Sequence, residues 1–227
     1  MKPKLATLKV TDMEKLTDTV YRLSLGVSES IEFMPGQYVN IEVKMGEWRS
    51  YSIANYDEGK REIMLLIDTA PGGVASKVFE SIQIGHEFRS ILPAGSFVLV
   101  DNARPKIFIS TGTGVAPFLP MITKLISADF KDEIYLLFGI RYVEKDFVSK
   151  FVGDFESKKN FKFIRCITRP EGEGDWMVGR VTKVLFTLGL NLEKYDIYLC
   201  GAPQMVGDMV ELLKEKGIKE NVYFEKY

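Results

Sequence analysis

Hydrophobic positions in the first hundred residues fall in short runs rich in β-branched and aromatic side chains: Leu5–Val10, Val20–Leu25, Tyr38–Val43, Trp48–Ala54, Ile63–Asp68 and Glu87–Leu92. Such residues suit a pleated, half-buried surface. Turn signals separate the runs at Pro35-Gly36, Lys44-Met45-Gly46, Asp57-Glu58-Gly59 and Pro93-Ala94-Gly95. Short strands at close spacing predict a barrel or sandwich. One interruption has helical period instead. Val74, Val78 and Ile82 follow the pair Gly72-Gly73 and predict a helix set inside the β region.

The texture changes after Asp101-Asn102-Ala103-Arg104-Pro105, where we place a domain boundary. Lys106–Ser110, Ile134–Phe138, Phe161–Ile167 and Tyr195–Leu199 are continuous apolar runs, the mark of buried parallel strands, and Asn221–Phe224 is a fifth candidate. Between them lie amphipathic stretches at Ala116–Ser127, Phe147–Ser157, Val181–Leu188 and Met205–Lys216. Strand–helix alternation of this kind predicts a doubly wound α/β sheet. The expected organisation is a β-barrel domain over residues 1–101 and an α/β domain over residues 106–227.

Composition narrows the chemistry. One histidine, His86, and two well-separated cysteines, Cys166 and Cys200, do not supply the roughly four ligands of a structural zinc or iron–sulfur site. No metal site is expected, nor a disulfide framework. His86 follows a turn glycine and is expected at the surface. The start Met1-Lys2-Pro3-Lys4-Leu5-Ala6 does not resemble a signal peptide, and no apolar stretch approaches the roughly 20 residues of a membrane helix, so the expected location is the cytoplasm without membrane insertion. With 30 basic and 31 acidic residues the net charge is −1, which gives no electrostatic case for nucleic acid as a partner. Redox or group-transfer work by such a chain calls for a bound cofactor.

The segment Thr111-Gly112-Thr113-Gly114-Val115-Ala116-Pro117 follows the first α/β strand and opens a helix. Glycines there let backbone amides approach a pyrophosphate, and a helix N-terminus favours its charge. A tight turn with no ligand is the competing reading. No Lys-Ser/Thr pair follows Gly114, so the phosphate loop of nucleotide hydrolases is absent. The second α/β strand ends in Gly139-Ile140-Arg141, basic where an NAD ribose site usually carries Asp or Glu. Arg141 reads either as a solvated surface charge or, with Arg169, as a binder of a 2′-phosphate.

Arg49-Ser50-Tyr51-Ser52 is the most specific motif in the chain. Together with Gly72-Gly73-Val74-Ala75-Ser76, Gly112–Pro117, Cys200-Gly201-Ala202-Pro203 and Glu225-Lys226-Tyr227, it resembles the ferredoxin–NADP reductase family. Order and spacing match over nearly the whole chain. The likeness extends to Pro35-Gly36-Gln37-Tyr38, Pro93-Ala94-Gly95-Ser96-Phe97 and the stretch from Tyr198 to Glu211.

The resemblance implies an antiparallel Greek-key flavin-binding β-barrel followed by a Rossmann-like doubly wound NAD(P) domain. It assigns Arg49 to a flavin phosphate, a bidentate contact that suits a guanidinium. It packs Tyr51 on the isoalloxazine, places the Ser52 hydroxyl on flavin N5, and sets the amides and hydroxyl of Gly73, Val74, Ala75 and Ser76 on the pyrophosphate. A pyrophosphate favours FAD over FMN. On the nucleotide side it implies Thr111, Gly112, Thr113, Gly114, Pro117, Gly201 and Pro203, with Cys200 beside the nicotinamide; a buried cysteine is otherwise just a small apolar residue. Glu225 and Tyr227 are similar to the Glu-x-Tyr terminus of plant-type members, where the aromatic covers the flavin. Ser52, Cys200 and Glu225 are thereby the candidate catalytic residues.

The implied activity is hydride transfer from NADH or NADPH to FAD, then electron transfer to a separate acceptor. Ferredoxin, flavodoxin, an oxygenase component, free flavin and quinone all fit, and the sequence does not give an oligomeric state. The alternatives are an electron-transfer subunit of a larger dehydrogenase or hydrogenase complex and a binding module that has lost turnover. No cysteine follows Cys200, which disfavours the complex-bound version with its usual [2Fe–2S] cluster.

Overall fold

The computed structural model describes residues 3–226. The chain divides into two compact units, Met1–Leu99 with Ala116–Met121, and Val100–Val115 with Ile122–Tyr227.

In the first unit, strands β1 (Lys4–Lys15), β2 (Val20–Val27), β3 (Tyr38–Lys44), β4 (Glu47–Asp57), β5 (Glu62–Asp68) and β6 (Glu87–Ala94) close a barrel in the order β1-β2-β5-β4-β3-β6. Every adjacent pair is antiparallel, and β2 skips to β5, as a Greek key requires. Alternate residues fill the interior: Val39, Ile41 and Val43 from β3, and Ile63, Leu65 and Ile67 from β5. The helix that interrupts the barrel is α1 (Val74–Ser81). The expected stripe packs on the barrel core: Ile82 is buried and Val74 and Val78 are half-buried against it, while Phe79 adds the deepest anchor. The Phe79 ring stands edge-on to Tyr51 at 5.3 Å and lies 5.6 Å from Phe88. The largest apolar side chain thus takes the position facing the barrel core, where burial contributes about 1.5–3 kcal/mol.

In the second unit, β7 (Lys106–Thr111), β8 (Ile134–Ile140), β9 (Phe161–Ile167), β10 (Met177–Val178), β11 (Asp196–Gly201) and β12 (Val222–Lys226) form one parallel sheet in the order β10-β9-β8-β7-β11-β12. The two-residue β10 is too short to leave a sequence pattern. One face of the sheet carries Ile107, Ile109, Ile197 and Leu199, clustered with Val181 and Val184 of α4 (Val181–Val184) and with Val206, Met209 and Leu213 of α5 (Pro203–Glu215). On the opposite face the rings of Phe108, Tyr198 and Tyr223 stack across three strands, with centroids 5.2 and 4.9 Å apart.

Three helices depart from their expected bounds, each for a local reason. The turn after β7 is a short 3-10 helix (Gly112–Val115), and α2 proper runs only over Phe118–Ser127; Gly112 has φ +55°, outside the α-helical region. The helix α3 starts at Ser149 because the Asp146 carboxylate accepts the backbone N–H groups of Val148 (3.0 Å) and Ser149 (3.2 Å). After Val184 the chain tightens into a 3-10 turn (Leu185–Thr187) and turns away at Gly189, with φ +68°.

A buried polar cluster holds the start of this sheet. Lys106 and Asp196 open β7 and β11, are closed to solvent, and lie 2.9 Å apart. Arg104 Nε donates to the same carboxylate at 3.0 Å and Asn102 Nδ2 at 2.9 Å, while the Val100 N–H donates to the Tyr198 hydroxyl at 2.9 Å. The segment before β7, polar and proline-ended in sequence, is therefore fastened to the α/β sheet. Among the described residues no helix is long and apolar enough to cross a membrane, and no group of three or more His, Cys, Asp or Glu side chains is placed to hold a metal.

Replacing one partner of a buried ion pair leaves the other charge uncompensated. Asp196→Ala is expected to lower stability by about 3–5 kcal/mol, read as a fall in the urea midpoint of the α/β unit. Adding Lys106→Met should recover part of that loss. An unchanged midpoint for Asp196→Ala would show that the pair does not hold the sheet.

Candidate functional site

On the barrel, β4 presents Arg49, Tyr51 and Ile53 on one face and Ser50 and Ser52 on the other. Ile53 is fully buried, Tyr51 half-buried, and the Arg49 side chain 48% exposed, so this face climbs out of the core to solvent. Arg49 Nη1 donates to the Trp48 carbonyl at 2.8 Å, and Nη2 lies 3.7 Å from Glu47. These are exposed contacts of little net strength, so an incoming anion displaces them cheaply. The Tyr51 phenol is pushed up to about 12, first by burial, with the Arg49 charge opposing. It is an uncharged ring at neutral pH. Ser50 Oγ donates to Asn40 at 2.7 Å, and Ser52 pairs with Tyr38 on that same side of the strand. The structure therefore brings Arg49 and Tyr51 together and points the Ser52 hydroxyl to the opposite face.

The Tyr51 ring meets Phe79 in the last turn of α1, which ties that helix to β4. Gly73 is its N-cap, no side chain caps it, and no acidic residue occupies the first turn. A Cβ built on Gly72 or Gly73 would meet nothing within 4 Å. Free N–H groups, open space and an arginine on the neighbouring strand fit a bound phosphate. Val74 and Ala75 are half-buried in this turn, whereas Ser76 is buried.

In the second unit the chain leaves β7 toward β8 and β9 on one side and toward β11 and β12 on the other. The switch point of the sheet lies between β7 and β11, the usual crevice for a nucleotide. The two glycine motifs meet there. A Cβ on Gly114 would lie 2.4 Å from the Cys200 carbonyl oxygen, and one on Gly201, at φ +139°, would lie 2.5 Å from Thr111 Oγ1. The Ala202 N–H donates to Thr111 Oγ1 at 3.2 Å. Gly112 faces open space, Thr113 lies between the two glycines, Pro117 ends the turn before α2, and Pro203 occupies the first turn of α5.

Cys200 is fully buried at the end of β11, in register with Ser110 of β7 and Glu225 of β12. Burial holds the half-buried Glu225 carboxyl above its ordinary range. Tyr227 lies outside the described residues.

Arg141 and Arg169 are both exposed and adjacent at the carboxyl ends of β8 and β9: the Arg169 N–H donates to the Arg141 carbonyl at 2.9 Å. Arg169 Nη1 also donates to the Tyr142 hydroxyl at 3.3 Å. Tyr142 was missed in the sequence, although an aromatic directly after a strand-ending arginine was a usable signal. His86 is exposed with its ring against Phe88 at 4.6 Å.

Residues 7–99 match the family model of the oxidoreductase FAD-binding domain, and residues 108–211 that of the oxidoreductase NAD-binding domain. The anthranilate 1,2-dioxygenase electron transfer component of Acinetobacter baylyi is 31% identical, aligned over 99% of this chain and 67% of its own length. The toluate 1,2-dioxygenase electron transfer component of Pseudomonas putida is 30% identical over 96% of this chain and 66% of its own. The chain thus spans about two thirds of the length of these curated relatives. Among solved structures, an Amycolatopsis cytochrome P450 reductase superposes with a TM-score of 0.90 at 25% identity, over 99% of this chain and 70% of that one. A Neisseria gonorrhoeae ferredoxin NADP+ reductase with bound FAD and NADP shares the fold at a TM-score of 0.83 and 20% identity, covering 98% of both chains. With a closed barrel that carries the FAD-binding match and a parallel sheet that carries the NAD-binding match, the chain belongs to the ferredoxin–NADP reductase superfamily of NAD(P)H-dependent flavoprotein reductases.

Proposed function

We propose that this chain is the reductase component of an electron-transfer system, oxidising NADH or NADPH and delivering electrons to a separate redox protein, either a ferredoxin or an oxygenase component. The carrying observation is the switch point of the parallel sheet, where Gly114 is pressed against Cys200 and Gly201. The relatives named above are electron transfer components of dioxygenases, which favours a protein acceptor over free flavin or quinone. Residues 1–101 act as the FAD-binding domain and residues 106–227 as the NAD(P)-binding domain. The cytoplasm suits two buried cysteines that form no disulfide.

Bound FAD supplies hydride acceptance at its N5 atom and onward electron transfer. The chain's residues bind and orient. Arg49 clamps a phosphate, and the amides of Gly73, Val74, Ala75 and Ser76 receive the pyrophosphate charge at the start of α1. Tyr51 lends a flat, uncharged ring to the isoalloxazine. Ser52 is assigned to flavin N5 by family likeness. Thr111, Gly112, Thr113, Gly114 and Pro117, with Gly201 and Pro203, form the pyrophosphate crevice of the nicotinamide nucleotide. Cys200 offers a small apolar surface to the nicotinamide, with Glu225 beside it. Tyr227 is assigned to cover the flavin by family likeness alone. Arg141, Arg169 and Tyr142 receive the 2′-phosphate of NADPH.

Anaerobic addition of NADH or NADPH to the flavin-loaded protein should bleach the absorbance near ~450 nm. No bleaching with either nucleotide would rule the reading out. Arg49→Ala should weaken FAD retention about 10- to 100-fold, since a charge-assisted hydrogen bond contributes about 1.5–3 kcal/mol, with Arg49→Lys intermediate. Full flavin occupancy in the alanine variant would place the phosphate elsewhere. Arg169→Ala should lower kcat/KM for NADPH roughly tenfold more than for NADH. Equal losses would take Arg169 out of the phosphate site.

A further inference from the structure

Ser110 stands apart among the buried polar groups. It is closed to solvent at the end of β7, and its Oγ has no hydrogen-bond partner among the described residues. Other buried hydroxyls are satisfied: Ser90 donates to the Ala6 carbonyl at 2.8 Å and Thr69 to the Thr19 carbonyl at 3.1 Å. Arg22 Nε also lacks a hydrogen bond but lies 3.3 Å from the Glu14 carboxylate, so it has an ionic neighbour. An orphaned buried hydroxyl is unfavourable in a folded chain and marks a place where a partner arrives later.

Its position says which partner. Ser110 pairs with Cys200 on one side and Phe138 on the other, and Cys200 pairs with Glu225. Residues paired across a parallel sheet share a face and stand about 4.8 Å apart. Ser110 and Cys200 therefore form one row, just above the stacked rings of Phe108, Tyr198 and Tyr223 on that face. Ser110 lies two residues before the 3-10 turn Gly112–Val115. A nicotinamide ring lying on Cys200 finds an apolar, aromatic floor that suits its flat body. The carboxamide carries both a donor and an acceptor and is costly to bury unpaired, and the row flanks Cys200 with Ser110 on one side and Glu225 on the other. A serine hydroxyl can donate to the amide oxygen or accept from the amide nitrogen.

We infer that Ser110 is a binding residue for the nicotinamide carboxamide, with the buried hydroxyl and the buried amide each supplying the partner the other lacks. The inference rests on the reading of Cys200 as the nicotinamide platform and adds to it the group that fixes the ring's orientation. Ser110 and Cys200 are both closed to solvent, so no water competes for the hydroxyl.

Ser110→Ala and Ser110→Cys, the second of which keeps the volume and weakens the hydrogen bond, separate this role from a structural one. In the flavin-loaded protein, titration with the oxidised dinucleotide should show a Kd raised roughly 2- to 12-fold in both variants. The Kd for ADP-ribose, or for its 2′-phosphate, which lack the nicotinamide, should be unchanged. The thermal midpoint should be equal to or above that of the native protein, because an unpaired hydroxyl has been removed. An unchanged dinucleotide Kd, a parallel loss for ADP-ribose, or a lowered midpoint in both variants would each overturn the inference. ADP-ribose binding by the native protein shows that the crevice itself is correctly placed. Failure of native protein to bind either ligand would remove the site reading and this inference together.

Discussion

Everything the nucleotide unit offers depends on one steric constraint: the backbones at the ends of β7 and β11 touch. Gly114 fits against the Cys200 carbonyl only because it has no side chain, and Gly201 fits against Thr111 for the same reason. This contact draws the two halves of the sheet together at the point where the strand order reverses, where the proposed pyrophosphate crevice is lined by backbone. The two glycine motifs lie far apart in sequence, yet they are one structural element.

The barrel solves its own phosphate problem differently. It has no switch point, so it sets a short helix into the barrel topology, anchors it by Phe79, and leaves its first turn uncapped. Arg49, the proposed phosphate clamp, makes only weak exposed contacts to Glu47 and Trp48. One unit uses glycine-to-backbone packing, the other a helix start and a guanidinium.

Much of this was legible in the sequence because it is local. Alternation such as Val39, Ile41 and Val43 reports a strand with one wet face, and the apolar run Ile134–Phe138 reports a strand buried on both. The helix inside the barrel was readable together with its Val74–Val78–Ile82 stripe, but its deepest anchor, Phe79, was not. The glycine turns and the Arg49–Tyr51 pair were visible as motifs. Side-chain direction was not, and strand alternation turned Ser52 away from Tyr51. Tertiary partnerships left no local trace either. Lys106 opens a strand like any surface lysine, and only the fold brings it to Asp196. Tyr142 is a plain aromatic until Arg169 reaches it, and an orphaned hydroxyl at Ser110 exists only once the rest of the sheet has closed.

The segment from Val100 to Pro105 carries one more consequence. In composition it looks like a spacer, but Asn102 and Arg104 complete the shell around the Asp196 carboxylate, and Val100 leans on Tyr198. It travels with the α/β sheet as its first fastening. A recombination event that joined a foreign barrel at Lys106 would strip two donors from a buried carboxylate, whereas a join just before Val100 would carry the whole shell across. For a fold built by pairing flavin and nicotinamide modules, the seam of exchange lies at the exit of the barrel and not in the polar stretch that follows it.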